Sequence, residues 1–350
     1  GCPPGKTPGD FIPPGADPGH PFSSLFSGDG AITARRITLT DFPALLGAKK
    51  LAQSTDSVSE ITRGHPLSPF RWLSSSGLTV NTYSAVWEEN ARPRFFGRVW
   101  HAEGDAFSRL DYIASTRDGS SDDLTCLLEA LIRVSGAWGA RYLLAELPVS
   151  SDYLPAFRRA DFSVWSQARI YRYGGDFEEG EGSENFWRRW TDQDVRAMQA
   201  LHRSAVPKLF QTIEPLSRKQ AQGLVAFDPQ GRLLGFADLA YGTAGIWLQP
   251  LLDPAVEHAS LLRSLAQAVP NRLGRPVYIS ACSYQPLLSE ALERLSFSLE
   301  RELALMVRHL TLKDKVTVLG RQPVYEGEKN EGGVPVTQSR QNSVKQAPSP

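Results

Sequence analysis

The feature that most constrains the fold is an internal repeat. The stretch YLPAFRRADFSVWSQARIYRY, Tyr153 to Tyr173, reads as a short helix, a turn and a strand, and LLSEALERLSFSLERELALMVRHL, Leu287 to Leu310, repeats that order. A shift of 135 residues lays Phe162 on Phe297, Ile170 on Leu305 and Tyr171 on Met306, and lays YLLAEL from Tyr142 on VYISAC from Val277. With small gaps the match runs upstream. RFFG ending at Gly97 answers RLLG ending at Gly235, and LTDFPAL from Leu39 answers WTDQDVRAM from Trp190. A chain that writes the same element order twice builds two similar units.

Each unit reads as a strand, a helical region, a strand pair joined by a turn, a third strand, a helix, a strand, a helix and a final strand. Leu124, Leu127, Leu128, Leu131 and Val134 recur at helical spacing before GAWGA, as do Leu261, Leu262, Leu265 and Val269 before PNRLGRP. A meander followed by a βαβ crossover predicts an α+β domain, with helices packed on a largely antiparallel sheet and one parallel pair at the crossover. The expected division is a Pro- and Gly-rich arm over 1–30, a first domain over 31–175, an acidic, Gly-rich linker over 176–185, a second domain over 186–312, and a flexible polar tail over 313–350.

Composition excludes several classes. Apolar residues at 41% and charged residues at 22% describe an ordinary globular protein, and 38 basic against 38 acidic residues leave no net field for nucleic acid or an anionic membrane. There is no apolar run of about 18 residues to span a bilayer, and residues 1–30 have no apolar core of a secretory signal. Cys2, Cys126 and Cys282 are too widely spaced for a metal knuckle and suit a reducing, cytoplasmic setting. His20, His65, His101, His202, His258 and His309 form no i, i+4 pair, so no metal site is expected. The chain lacks a nucleophile elbow, a Walker loop and a dinucleotide fingerprint.

The element order, with the RADF and RLSF corners before the last strands, resembles the GNAT N-acetyltransferase superfamily in tandem duplicate over about Ala31 to Leu310. The resemblance implies a CoA-dependent N-acyltransferase with acetyl-CoA as acyl donor and an amine, on a small molecule or a protein, as acceptor. In that family backbone N–H groups between the fourth strand and the next helix hold the donor's pyrophosphate, commonly with an Arg or Gln ahead of a glycine-rich turn. The first unit has STRDGSSDD there, which makes Arg117, Gly119, Ser120 and Ser121 the candidate donor-binding residues. The second has PLLDPAVEH, without glycine and with Pro254 removing a donor, so the first unit is the expected donor site. Asp122 and Asp123 at one helix start, and Asp253 and Glu257 at the other, read either as helix caps or as charges opposed to a pyrophosphate.

The family's general acid is a Tyr four residues before the corner glycine. Phe157 and Leu292 stand at that position, with Tyr153 and Tyr284 a turn or more away and readable as surface aromatics. Asp111, in SRLDYIA on the strand leading to Arg117, is the candidate general base; it either lies partly buried or, sharing its parity with Arg109, faces solvent. The alternative to an enzyme is a non-catalytic tandem scaffold that binds a ligand or a protein.

Overall fold

The computed structural model describes residues 32–68, 80–116, 119–173, 187–216, 222–270, 272–295 and 297–310. The expected arm, linker and tail fall outside them. The first unit holds β1 (Ile32–Arg36), α1 (Phe42–Gly47), β2 (Ala52–Ser54), α2 (Ser57–Arg63), β3 (Val80–Glu89), β4 (Arg92–Ala102), β5 (Phe107–Ser115), α3 (Ser121–Ala137), β6 (Tyr142–Pro148), α4 (Leu154–Arg159) and β7 (Ser163–Tyr173). The second holds β8 (Trp187–Arg189), α5 (Val195–Ala205), β9 (Gln222–Phe227), β10 (Leu233–Tyr241), β11 (Ile246–Leu252), α6 (His258–Ala268), β12 (Val277–Cys282), α7 (Pro286–Arg294) and β13 (Ser298–His309). Among the described residues no helix is long and apolar enough to cross a membrane.

The repeat extends to side-chain chemistry. Arg35 grips Asp41 with two parallel hydrogen bonds of 2.7 and 2.8 Å, and Arg188 grips Asp194 with bonds of 2.8 and 2.7 Å. Each carboxylate also accepts the backbone N–H and hydroxyl of the threonine three residues before it, Thr38 or Thr191. Bidentate pairing of this kind is strong and directional. Both aspartates are held well below the usual carboxylate range, first by the arginine and against the opposing effect of burial.

The two units do not keep separate sheets. Their strands run in the order β1-β3-β4-β5-β6-β13-β7-β12-β11-β10-β9-β8, with β2 added on β5. The second unit's last strand, β13, lies antiparallel between β6 and β7, from Leu303 opposite Pro148 to His309 opposite Tyr142 on the β6 side. Reciprocally, β7 lies antiparallel against β12, from Val277 opposite Tyr173 to Cys282 opposite Ala168. Each closing strand therefore completes the other unit's half of the sheet.

The cores record the exchange. Leu124, Leu127, Leu128 and Leu131 of α3, with Phe157 and Phe162, pack against Ala304 and Met306 of β13. Tyr171 of β7 lies among Leu261, Leu262 and Leu265 of α6 and Leu292 and Phe297 near the second corner, and its hydroxyl donates to Glu293 at 3.0 Å. At the first corner Asp161 takes a φ of 59°, the left-handed region that glycine occupies freely and aspartate tolerates. That turn lets the N–H of Phe162 reach the carbonyl of Phe157 at 3.0 Å and drops both rings into the core, 5.0 Å apart.

Helix α2 of the first unit docks on the β10–β11 hairpin of the second. Gly242 makes room for it, since a Cβ there would lie 1.8 Å from the Thr62 carbonyl oxygen, and the N–H of Ala244 donates to that oxygen at 3.1 Å. In the opposite direction Ile213 of the second unit packs with Phe107, Leu144 and Val307. The exchange predicts one cooperative unfolding transition, reported identically by far-UV circular dichroism and tryptophan fluorescence. Met306→Ala, at a fully buried position of β13, should cost about 2–5 kcal/mol without splitting it. Two separated transitions would contradict the shared sheet.

Candidate functional site

The expected donor loop of the first unit is a self-contained helix cap. Arg117 lies outside the described residues. Gly119 is a packing position, because a Cβ there would come within 2.5 Å of the Phe95 ring and 2.8 Å of the Arg94 carbonyl oxygen. Ser120 is the N-cap of α3. Its N–H and hydroxyl donate to Asp123 Oδ2 at 2.9 and 2.7 Å, while the Asp123 N–H donates back to Ser120 Oγ at 3.2 Å. The other oxygen of Asp123 accepts the Trp87 indole N–H at 3.0 Å. The Ser121 hydroxyl accepts from Arg159, which also pairs with Asp122 at 3.3 Å.

A carboxylate thus occupies the place where N–H groups would meet a phosphate. Burial pushes the pKa of Asp123 up, but the hydrogen bonds from Ser120 and Trp87 outweigh it and hold the group below its ordinary value. The second unit repeats the device with Glu257, whose oxygens accept the N–H groups of Ala259 and Ser260 at 3.0 and 2.7 Å. Its pKa is lowered mainly by the Ser260 N–H. Asp253 does not cap α6; it takes the Ala255 N–H and the Arg232 guanidinium, both at 2.9 Å.

The crossover strands supply a second place for a ligand. In the first unit β5 and β6 run parallel for three residue pairs, from Phe107 opposite Tyr142 to Arg109 opposite Leu144, and then part. The cleft so formed is filled by the chain itself. Strand β2 pairs with β5 from Ala52 opposite Ala114 to Ser54 opposite Tyr112, and Thr55 then reaches both banks: its N–H donates to the Asp111 carbonyl at 3.0 Å and its carbonyl accepts the Glu146 N–H at 2.9 Å. The Glu146 carboxylate in turn accepts the Ser57 N–H at 3.0 Å.

The candidate base Asp111 is bound up in this plug. Its side chain is buried, and its Oδ2 accepts from Arg98, which is also buried, at 2.6 Å. Arg98 lies over the Tyr112 ring, 5.4 Å from its centroid. Alternation along SRLDYIA suggests one wet face, but β5 is buried throughout: α3 covers Leu110 and Ile113, and α1 with the turn after it, through Leu45 and Ala48, covers Tyr112 and Ala114. Arg109 is buried as well. In the first unit, therefore, Thr55 bridges the parted strands and the candidate base is ion-paired to Arg98.

The second unit's cleft is bridged by a side chain, Gln285, whose Nε2 donates to the Pro250 carbonyl at 3.0 Å and whose Oε1 accepts the Cys282 N–H at 3.2 Å. Strands β11 and β12 run parallel for three pairs, from Ile246 opposite Val277 to Leu248 opposite Ile279, and then diverge. Beside them, and bordered also by Arg109, Leu144 and Glu146 of the first unit, lies a cavity of about 70 Å³ on which His202, Glu214, Gln249, Tyr284 and Gln285 converge. On this measure one water takes roughly 15 Å³, so the space takes a few waters or the head of a small ligand. Glu214 is its polar centre: Gln249 Nε2 donates to Oε1 at 2.9 Å, and the Tyr284 hydroxyl makes a short hydrogen bond to Oε2.

Tyr284 is therefore no surface aromatic. Burial, followed by the nearness of Cys282 and Glu214, raises its pKa far above that of a free phenol, so the hydroxyl keeps its proton. His202, on α5, is buried with no hydrogen-bond partner for its Nε2 among the described residues. Burial lowers its pKa, against a hydrogen bond with the Glu214 backbone, so the imidazole is neutral at pH 7. Sequence reading missed Glu214 and Gln249, which sit in no motif. Tyr153, the other tyrosine near a corner, packs edge-on against Phe95 at 6.2 Å in the first core.

In each unit the meander, the parallel crossover pair and the helix–turn–strand corner give a GNAT-like arrangement, so the fold is a tandem of two α+β GNAT-like units. No protein-family model and no curated protein matches the chain. Among solved structures it is similar to a GCN5-related N-acetyltransferase from Sphaerobacter thermophilus, with 12% identity and a TM-score of 0.48 over 80% of this chain and 96% of that one. It is also similar to a tandem GNAT protein from the clavulanic acid biosynthesis pathway, with 13% identity and a TM-score of 0.44 over 79% of this chain and 98% of that one. A GNAT-family acetyltransferase from Colwellia psychrerythraea shows 12% identity and a TM-score of 0.40 over 79% and 99% of the respective chains.

The helix cap generates a stability prediction. Because the folded-state pKa of Asp123 is depressed, its contribution is present above the unfolded-state value and is lost as pH falls. Asp123→Ala should cost about 1–2 kcal/mol at pH 7. In urea titrations the difference from the parent should shrink below about pH 4.

Proposed function

We propose that the chain is an acyltransferase that moves an acyl group from a thioester donor of the acyl-CoA class to an amine, at the β11–β12 cleft of the second unit. The observation that carries this reading is the buried Tyr284–Glu214 pair, braced by Gln249, beside a cavity where two parallel strands part. Glu214 takes the proton from the attacking amine as its nitrogen bonds to the thioester carbonyl carbon. As the C–S bond breaks, the Tyr284 hydroxyl supplies a proton to the departing sulfur, and Glu214 returns its own to the phenolate. The products are an amide and a thiol, and the enzyme ends as it began.

The environment suits these roles. A phenol whose pKa is raised stays protonated until the thiolate forms, and neutral His202 adds no positive charge to the cavity that Glu214 shares. The fit to acetyl-CoA is divided. The cleft suits the thioester end, whereas Asp123 and Glu257 occupy the helix starts that would serve a pyrophosphate. We therefore assign donor recognition to the arm next to the thioester, with the acceptor a small-molecule or protein amine. Free Cys126 and Cys282 agree with a reducing, cytosolic setting.

The test follows thiol release from acetyl-CoA and from acetyl-pantetheine with a panel of amines. Tyr284→Phe and Glu214→Gln should each lower the rate by roughly 10²–10⁴-fold, with the thermal transition retained, whereas Ser120→Ala in the first unit should leave it unchanged. Unaltered rates in both second-unit variants would refute the assignment. Calorimetry showing no thioester binding at millimolar concentration would also refute it and would leave the non-catalytic scaffold as the reading.

A further inference from the structure

Helix α5 and the turn after it bring two hydrogen-bond acceptors to the same cavity. The turn is fastened to the helix end: the Gln211 carboxamide donates to the Val206 and Arg203 carbonyls at 2.8 and 3.1 Å, and the N–H groups of Ile213 and Glu214 both go to the Phe210 carbonyl, at 2.9 and 2.8 Å. This fastening returns Glu214 to the last turn of α5, where His202 lines the cavity that the Glu214 carboxylate lines.

The hydrogen bonds fix which nitrogen of His202 carries its proton. Because the Glu214 N–H is spent on Phe210, the backbone group left for the imidazole is the Glu214 carbonyl, and the ring is the donor. The upward pull of that bond on the His202 pKa, against burial, has the sign of a ring that donates. Since Nε2 has no partner among the described residues, the donor is Nδ1. A neutral imidazole that donates from Nδ1 keeps a lone pair on Nε2. His202 is only 9% exposed, so that lone pair waits on a ligand rather than on bulk water. The Glu214 carboxylate receives Gln249 on one oxygen and Tyr284 on the other, and a carboxylate oxygen takes more than one donor. An entering group therefore meets two acceptors.

We infer that His202 is the positioning and specificity-determining residue for the acceptor, holding the N–H that the reaction leaves in place, and that the cavity selects primary over secondary amines. A primary amine turns one N–H to Glu214 and the other to His202 Nε2, which points its lone pair away from both and at the thioester carbonyl carbon. Glu214 takes the first proton as the C–N bond forms. The second hydrogen stays on nitrogen and becomes the N–H of the product amide, so its bond to His202 persists through the reaction. A secondary amine has a single N–H. Given to Glu214, it leaves Nε2 unpaired in the interior with a carbon substituent against it, which is costly for a buried acceptor. The inference rests on the proposed acyl transfer to an amine at this cavity.

His202 also pins the Glu214 main chain through Nδ1, and two substitutions separate that support from the ligand-facing role. His202→Asn keeps a donor near the place of Nδ1 and puts nothing at Nε2, whereas His202→Gln carries an amide oxygen out to the place of Nε2 and gives up the Nδ1 bond. Thiol release from acetyl-pantetheine by the full chain is followed with butylamine and with its isomer N-methylpropylamine, which differ by one N–H. The parent should favour butylamine in kcat/KM by roughly tenfold or more. His202→Asn should abolish that preference through a raised KM for butylamine, and His202→Gln should retain it even with a lowered thermal transition. A preference kept by the Asn variant, lost by the Gln variant or absent from the parent would overturn the role of His202 while leaving acyl transfer intact. Where the variants fold poorly, the Nε2 resonance of isotopically labelled histidine in the parent gives the reading: it should lie in the unprotonated range and move upfield on addition of butylamine. A protonated or unmoved Nε2 would overturn the inference. No thiol release from the parent with either isomer would overturn the acyl-transfer reading with it.

Discussion

The antiparallel pairing of β13 with β7 at the middle of the sheet is the interaction on which the rest depends. Each closing strand pairs on both edges with strands of the other repeat, β13 with β6 and β7, and β7 with β12 and β13. Without this contact β7 and β13 would each present a row of open backbone groups to water, a liability for any sheet. The exchange also sends Met306 into the first core and Tyr171 into the second, so neither repeat buries its apolar face with its own residues alone. Two copies of a fold thereby become one sheet with a single internal seam.

That seam positions the site. Because β7 and β13 fill the centre, the two parted crossover pairs, β5–β6 and β11–β12, lie on opposite sides of it. The covering elements reach across: α2 of the first unit lies over β10 and β11, and the turn carrying Ile213 and Glu214 of the second packs over Leu144 and Val307. Glu214 is thus held at the seam, where Gln249 and Tyr284 meet it from the strand ends of its own unit. The geometry of the Glu214–Tyr284 hydrogen bond depends on the packing of this turn, to which both repeats contribute.

Much of the fold is legible in the sequence because it is written in periodic signals. The leucines from Leu124 to Leu131 recur at helical spacing, and the corners at Phe162 and Phe297 mark where each repeat closes. The exchange of strands is not legible, since pairing partners depend on edges that local patterns do not encode: FSVWSQARIYRY would read the same against either β6 or β12. The site was less readable still. Loop composition directs attention to Gly119 and Ser120, yet the pattern Ser-x-x-Asp is that of a capping box, and its carboxylate closes the helix start. Glu214 lies in a turn without a motif, and Asp111 reads as a poised acid only while Arg98, thirteen residues away on the neighbouring strand, is out of view.

The two clefts show how a duplicated scaffold diverges without changing its backbone. Both copies part their parallel strands at the same place, and both therefore face the same demand, to satisfy a carbonyl on one bank and an N–H on the other. One copy answers with the peptide of Thr55, locked between a strand and a helix; the other answers with the carboxamide of Gln285, anchored at one end only. The hydrogen bonds are alike in kind and length, so their strength does not separate the two clefts. The difference is connectivity: displacing Thr55 means unzipping β2 from β5, whereas displacing Gln285 means turning a side chain. By filling one with its own backbone, the repeat turns that half into support for the other.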